Sequence, residues 1–230
     1  MERSEKRFLK EIIEWDTVNW GKALEYWDHK VDLGEPGLSC LELGAGKGGL
    51  SLWLALKGND VVCSDVISPE PQAAARHARY SYPGTITYGA VDATNIPYRN
   101  HFDIVIFKSI LGGISRGGRD GLKKQVVDEI YKALKPGGKL LFAENLSATF
   151  VHRFFRIHFV RWGGEWNYLR YDEILPLFSC FSKVDYTTAG FLALLGRNEN
   201  QRCFLGKIDE RITLVIPQKF RYVVIGVAEK

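Results

Sequence analysis

Four cysteines, Cys40, Cys63, Cys180 and Cys203, are all that the 230 residues contain, with neither a CxxC pair nor a compact spacing among them. That absence excludes a disulfide framework and a cysteine zinc site, and the thiols read as reduced core residues of a cytoplasmic protein. No apolar run reaches the roughly 18 residues that a membrane span needs. The opening Met1-Glu2-Arg3-Ser4-Glu5-Lys6-Arg7 is too charged for a secretory signal. No compact set of His, Cys and carboxylates has metal-ligand spacing, so no metal site is assigned. Repeats and low-complexity segments are also missing. What is present is a chain that is 46% apolar with a net charge of +4, enough to bury a single-domain core and far from the composition of disorder.

The segment Leu41-Glu42-Leu43-Gly44-Ala45-Gly46-Lys47-Gly48-Gly49-Leu50-Ser51 turns a short apolar run into a helix through closely spaced glycines. Gly44, Gly46 and Gly48 are free to take positive φ and leave room where a Cβ would collide with a bound molecule. The helix that follows offers unpaired N–H groups at its start. Val61-Val62-Cys63-Ser64-Asp65 reads as a second buried strand ending in a carboxylate. It falls roughly 20 residues after the loop, where nucleoside sites place an acid on ribose hydroxyls. Gly46, Gly48 and Gly49 do not supply the GxGxxG spacing of a dinucleotide site. Glu42 argues further for a cofactor carrying positive charge.

From Glu42 to Gly48 the pattern acid-x-Gly-x-Gly-x-Gly resembles the glycine motif of class I S-adenosylmethionine-dependent methyltransferases. The resemblance extends in order over residues 39–145. Asp65, with Val66, falls at the ribose position, Val91-Asp92-Ala93 at the adenine position, and Leu134-Lys135-Pro136-Gly137-Gly138-Lys139-Leu140 at the turn before the fifth strand. It implies an α/β fold with a doubly wound, Rossmann-like, mostly parallel seven-stranded sheet whose last strand is antiparallel. It also implies S-adenosylmethionine as cofactor, held by Glu42, Gly44, Ala45, Gly46, Gly48, Asp65, Val66, Asp92 and Ala93. Trp15 and Trp20 are expected to cap the methionine end, and Lys108 and Ser109 to meet the cofactor or acceptor at the end of the fourth strand. That strand end carries neither the Asp/Asn-Pro-Pro-aromatic signature nor the Pro-Cys nucleophile of base methyltransferases, which counts against a nucleic-acid substrate.

Hydrophobic patterning predicts helix over 5–30 with a break near 19–21, then strands 39–43, 61–65, 85–90, 102–107 and 139–144, alternating with helices 48–57, 71–81 and 122–134. The last strands are expected at 181–187 and 222–228, and 191–219 is left unassigned. One methyltransferase domain results. Residues 1–35 form a helical cap, 36–145 the cofactor core, 146–175 a substrate-side insertion and 176–230 the last strands.

The insertion carries the acceptor chemistry. As a helix, 149–162 places Phe150, Val151, Phe154, Phe155, Ile157 and His158 on one face and His152, Arg153 and Arg156 on the other. His152 is the leading general-base candidate, Glu144 the next, and His158 is read first as a core imidazole. His29, His77 and His101 receive no role. Arg153, Arg156, Trp162, Trp166 and Tyr168 read either as a site for a sugar or anionic group or as packing and a solvated face. The segment also loosely resembles bacterial methyltransferases of surface-polysaccharide assembly. The expected function is O-methylation of a hydroxylated small molecule or glycan, with the anionic character of the acceptor left open. Protein or peptide N-methylation and a membrane-surface module using the basic aromatic helix stand as alternatives, and the oligomeric state is not read from the sequence.

Overall fold

The computed structural model describes residues 3–160 and 163–230, with side chains from Arg7 onward. Arg161 and Trp162, the latter among the expected substrate residues, lie outside the described residues. Two helices, α1 (Arg3–Ile13) and α2 (Thr17–Lys30), precede the alternating core. The core runs β1 (Ser39–Leu43), α3 (Gly49–Leu56), β2 (Asp60–Asp65), α4 (Glu70–His77), β3 (Thr85–Ala90), β4 (Phe102–Lys108), α5 (Leu111–Ile114), α6 (Gly121–Ala133) and β5 (Leu134–Asn145). Beyond it come α7 (Phe150–Phe159), α8 (Ile174–Leu177), β6 (Lys183–Ala189), α9 (Glu199–Ile212) and β7 (Val223–Glu229).

The seven strands order as β3-β2-β1-β4-β5-β7-β6, with β7 antiparallel to both neighbours. This is the Rossmann-like, mostly parallel seven-stranded sheet that the resemblance implied. The near-continuous apolar runs of β1, β4 and β7 suit it, because both faces are covered there, whereas the edge strands β3 and β6 are only partly buried. Trp20, Trp27 and Leu52 from α2 and α3 fill one side. Phe107, Phe142, Ile130 and Phe178 fill the other. Because β1 and β4 lie side by side while their connections lead to opposite faces, their carboxyl ends open the crevice where such sheets bind ligands.

Three departures from the sequence expectation have physical causes. The break in the N-terminal helices falls at Glu14 and Asp16, which take φ of 73° and 45°, and not near 19–21. Glu199 of α9 fixes it there by accepting from the amides of Asp16 (2.8 Å) and Thr17 (2.9 Å). Gly21 stays helical because a Cβ there would press on Leu9 at 3.3 Å, so the glycine permits close helix packing and makes no turn. The unassigned stretch contains α9. Its Asn198 cap accepts from the Gln201 amide, and its buried Asp209 collects the amides of Phe191, Leu192 and Ala193.

Candidate active site

Gly44, Gly46 and Gly48 all take left-handed φ, at 63°, 55° and 68°. Their reasons differ. A Cβ at Gly44 would meet Ile110 Cγ2 at 2.5 Å, and one at Gly48 would meet His77 Nε2 at 2.6 Å and Cys63 Sγ at 3.0 Å. At Gly46 a Cβ would meet nothing within 4 Å. Packing against the protein therefore demands the first and third glycines, and Gly46 alone faces open space at the strand ends. His77, given no role from the sequence, is buried and braces this turn: Nε2 bonds the Gly48 carbonyl at 2.8 Å and Nδ1 the Tyr88 hydroxyl at 2.8 Å. No sequence signal marks that brace.

Glu42 corrects an expectation. It is 4% exposed and accepts from the Ser51 amide (2.7 Å) and hydroxyl, so it closes the first turn of α3. Burial pushes its carboxyl up to about 7, with the Ser51 bonds pulling the other way. Its observed contacts hold the glycine loop to the first turn of α3. Asp65 remains accessible at the end of β2. Oδ2 accepts from the Gly46 amide (3.1 Å) and Oδ1 from the Val66 amide (2.8 Å). A carboxylate has about four lone-pair sites, so two remain for a vicinal diol. Beside it, Val66 and Ile67 are 67% and 79% exposed, apolar surface suited to a flat ring. Asp92 is exposed and turns the chain by accepting from the Thr94 amide and hydroxyl, and Ala93 is buried next to it.

At the end of β4, Lys108 rests its ammonium 3.1 Å from the centre of the Trp15 ring and 5.4 Å from that of Trp20. The two indoles meet edge to face at 6.0 Å. Burial lowers the ammonium to about 7, opposed by the charges of Glu14, Glu42 and Glu144. Ser109 next takes φ of 58°, an uncommon conformation for a residue with a side chain, and its hydroxyl accepts from Asn145 Nδ2 at 2.6 Å. Asn145, missed from the sequence, thus ties the ends of β4 and β5. Glu144, fully buried, accepts from the amides of Leu111 (2.7 Å) and Asn145 (2.8 Å), and burial raises it to about 7. Lys108, Ser109, Glu144 and Asn145 therefore share one corner with Trp15 and Trp20.

The helix α7 reverses the expected orientation. His152 and Arg156 are buried, and Phe150, Val151, Phe154, Ile157 and Phe159 are exposed. Both His152 nitrogens are engaged: Nε2 donates to the Phe191 carbonyl at 2.7 Å, and Nδ1 accepts from the Thr149 hydroxyl at 2.7 Å and, as half of a capping box, from the Thr149 amide at 3.3 Å. Burial lowers its basicity. That geometry makes His152 a structural link between α7 and the chain before α9, which corrects its reading as the base. His158 is exposed, with Nδ1 at the Phe154 carbonyl, so it is not a core imidazole. Arg153 is exposed on the outer side of α7.

Arg156 is 3% exposed. Nη1 donates to the Leu146 carbonyl at 2.6 Å, and the guanidinium lies 4.1 Å from the Tyr168 ring centre. No carboxylate pairs with it among the described residues, and its Nη2 and the buried Tyr168 hydroxyl have no hydrogen-bond partner there. Burial lowers Arg156 to about 10. Trp166 packs flat on Gly112 and Gly113, where any Cβ would strike its ring, and lines an open cavity of about 730 Å³ with Arg116, Arg119 and Asn167. None of that cavity's lining belongs to the glycine loop, so it is a neighbour of the site and not its centre.

Residues 41–142 match the model of a family described as a methyltransferase domain. That stretch, from β1 to β5, is thus similar to a methyltransferase domain. The chain's fold is shared with phosphoethanolamine N-methyltransferase 2 of Haemonchus contortus in complex with S-adenosyl-L-methionine, at 17% identity, a TM-score of 0.61 and coverage of 92% of this chain and 52% of that one. The chain thus spans about half the length of that relative. An S-adenosylmethionine-dependent methyltransferase of Methanosarcina mazei aligns at 16% identity and a TM-score of 0.61, covering 85% of this chain and 93% of its own. An N-methyltransferase of Bradyrhizobium japonicum in complex with S-adenosyl-l-homocysteine aligns at 15% identity and a TM-score of 0.53, covering 90% and 86%. No curated protein matches the sequence. At such identities the likeness speaks for the fold, and the acceptor must be argued from the site. The open space over Gly46, the spare lone pairs of Asp65 and the apolar surface of Val66 fit S-adenosylmethionine, the cofactor that the resemblance implies.

Proposed function

We propose that the chain transfers a methyl group from S-adenosylmethionine to a hydroxyl of a small molecule or glycan that carries an anionic group. The observation that carries this reading is Arg156, a buried guanidinium that among the described residues has a spare nitrogen and no acid to pair with, stacked on a tyrosine whose hydroxyl also finds no hydrogen-bond partner there. An uncompensated buried charge costs several kcal/mol. A carboxylate or phosphate on the acceptor supplies the missing partner, in the planar geometry that guanidinium favours.

When bound, the cofactor supplies an electrophilic methyl on a sulfonium. The protein's share is alignment and proton removal. Gly46 leaves room for the ligand, Asp65 receives the diol, and Trp15 and Trp20 close the side toward Lys108. Glu144 is the group suited to take the hydroxyl proton, because a base works best when its pKa lies near the operating pH and burial has brought this carboxyl to about 7. A second reading, N-methylation, is favoured by the engagement of both His152 nitrogens, since a neutral amine needs no base before the methyl arrives.

The test supplies labelled cofactor with paired acceptors, each in an anionic form and a neutral form, to the wild type and Arg156→Met. Arg156→Met is expected to lose at least tenfold in kcat/KM for anionic acceptors through a raised KM, with cofactor affinity retained. Equal use of neutral and anionic acceptors by both proteins would overturn the assignment, and labelling of amines alone would move it to the second reading.

A further inference from the structure

The helix α7 is built inside out for a helix in water. Its basic residues His152 and Arg156 are buried, and its apolar residues face solvent, Phe150 at 84%, Phe154 at 58% and Phe159 at 51% exposure, with Val151 and Ile157 between them. Burial of Arg156 and His152 is fixed by their bonds to the Leu146 and Phe191 carbonyls, so the helix cannot rotate its apolar side inward without breaking both. An exposed apolar cluster of this kind marks an interaction surface.

Charge around the cluster indicates its occupant. No Asp or Glu occurs between Glu144 and Glu165, a stretch that includes exposed Arg153 and His158. Arg197, from the chain before α9, places its guanidinium 5.1 Å from the Phe159 ring centre. Close by in sequence, Leu195, Gly196 and Phe204 line a groove of about 370 Å³. Apolar side chains on one side of a short helix, flanked by cations and free of acids, are the composition of a helix that lies in the headgroup region of an anionic bilayer. Among the described residues no helix is long and apolar enough to cross a membrane, and α7 is too short to span one. A second copy of the chain fits less well. An isologous contact would bring together two copies of the same acid-free, Arg-rimmed face, and a helix of 10 residues is about 15 Å long, short of the roughly 800 Å² per partner of a stable interface.

We propose that the outer face of α7, through Phe150, Val151, Phe154, Ile157 and Phe159 with Arg153 and Arg197 at its rim, docks the protein on an anionic lipid surface.

Cosedimentation tests it with the full chain and two vesicle types, phosphatidylcholine alone and phosphatidylcholine with about a third phosphatidylserine. Binding is expected to the anionic vesicles, to fall with added salt, and to weaken at least tenfold in the double variant Phe150→Ser/Phe154→Ser and severalfold in Arg197→Glu. Both variants alter exposed positions, and their folding is checked by unchanged S-adenosylhomocysteine affinity. Absence of wild-type binding to anionic vesicles overturns the proposal. So does binding that the double variant retains in full. A wild type that is dimeric by sedimentation, turned monomeric by the double variant and indifferent to lipid, assigns the face to a second copy instead.

Discussion

Alanine at each of the three loop glycines separates a ligand space from a packing space. Every one of these positions has left-handed φ, so a Cβ costs about 1–2 kcal/mol in strain wherever it is placed. At Gly46 that is the whole effect on stability, since the Cβ meets nothing within 4 Å. At Gly48 the same strain is joined by contacts of 2.6 Å to His77 and 3.0 Å to Cys63. Overpacking of this kind typically costs a further ~1–3 kcal/mol, and His77 must release either the Gly48 carbonyl or Tyr88 to relieve it. Gly48→Ala should therefore lose about 2–5 kcal/mol, a large part of a typical stability of about 5–15 kcal/mol. Gly44→Ala should fall between them, because Ile110 is a side chain able to give way. Urea unfolding reads the stability, and calorimetric titration with S-adenosylhomocysteine reads the affinity of the same preparations. Gly46→Ala is expected to unfold within about 2 kcal/mol of the wild type and yet bind at least tenfold more weakly, and Gly46→Val to lose binding altogether. If Gly46→Ala binds as the wild type does, the loop is a turn and the cofactor lies elsewhere. If Gly46→Ala and Gly48→Ala are equally destabilised, the packing argument fails.

Replacing His152 by Ala should act on stability and not on chemistry, since it leaves the Phe191 carbonyl without its donor and removes half of a helix cap. An orphaned buried carbonyl costs about 1–3 kcal/mol. A folded His152→Ala protein that unfolds like the wild type but has lost turnover would reinstate it as the base. Glu144→Gln tests the pH dependence. The native carboxyl holds its proton up to about 7, whereas the unfolded one releases it near 4.5, so the native state binds more protons in that window and loses stability there as pH rises. Glutamine has no proton to release. Urea midpoints should show Glu144→Gln gaining on the wild type from pH 5 to about 7 and levelling off above, and a flat difference would mean that Glu144 is ionised in the native state.

The architecture was legible because its signals are local. Closely spaced glycines, five apolar strands and a Leu-Lys-Pro-Gly-Gly turn specify the core by pattern alone, and β5, β6 and β7 differ from expectation only in their ends. The acceptor side was not legible, for a physical reason that α7 makes plain. Its amphipathic period was read correctly, but a period cannot say which face meets the core, and here tertiary bonds to two carbonyls outweighed the burial of five apolar side chains. Glu42 and His77 were misread for a related reason. Their roles are set by partners 9 and 29 residues away, Ser51 and Gly48, and such pairings leave no trace in composition or spacing. The break at Glu14 to Asp16 depends on Glu199, whose distance along the chain hid it altogether.

The central claim is that the crevice between β1, β2 and β4 binds S-adenosylmethionine through the glycine loop and Asp65. Calorimetric titration of the purified chain with S-adenosylhomocysteine, set beside the same titration of Asp65→Ala, tests it most directly. The wild type should bind one equivalent, and NAD should give no heat. Asp65→Ala should stay folded and bind with about 1.5–3 kcal/mol less free energy, roughly 10- to 150-fold weaker, the usual cost of removing hydrogen bonds to a charged group. A folded wild type that takes up no S-adenosylhomocysteine, or an Asp65→Ala protein that binds it as tightly as the wild type, would contradict the account.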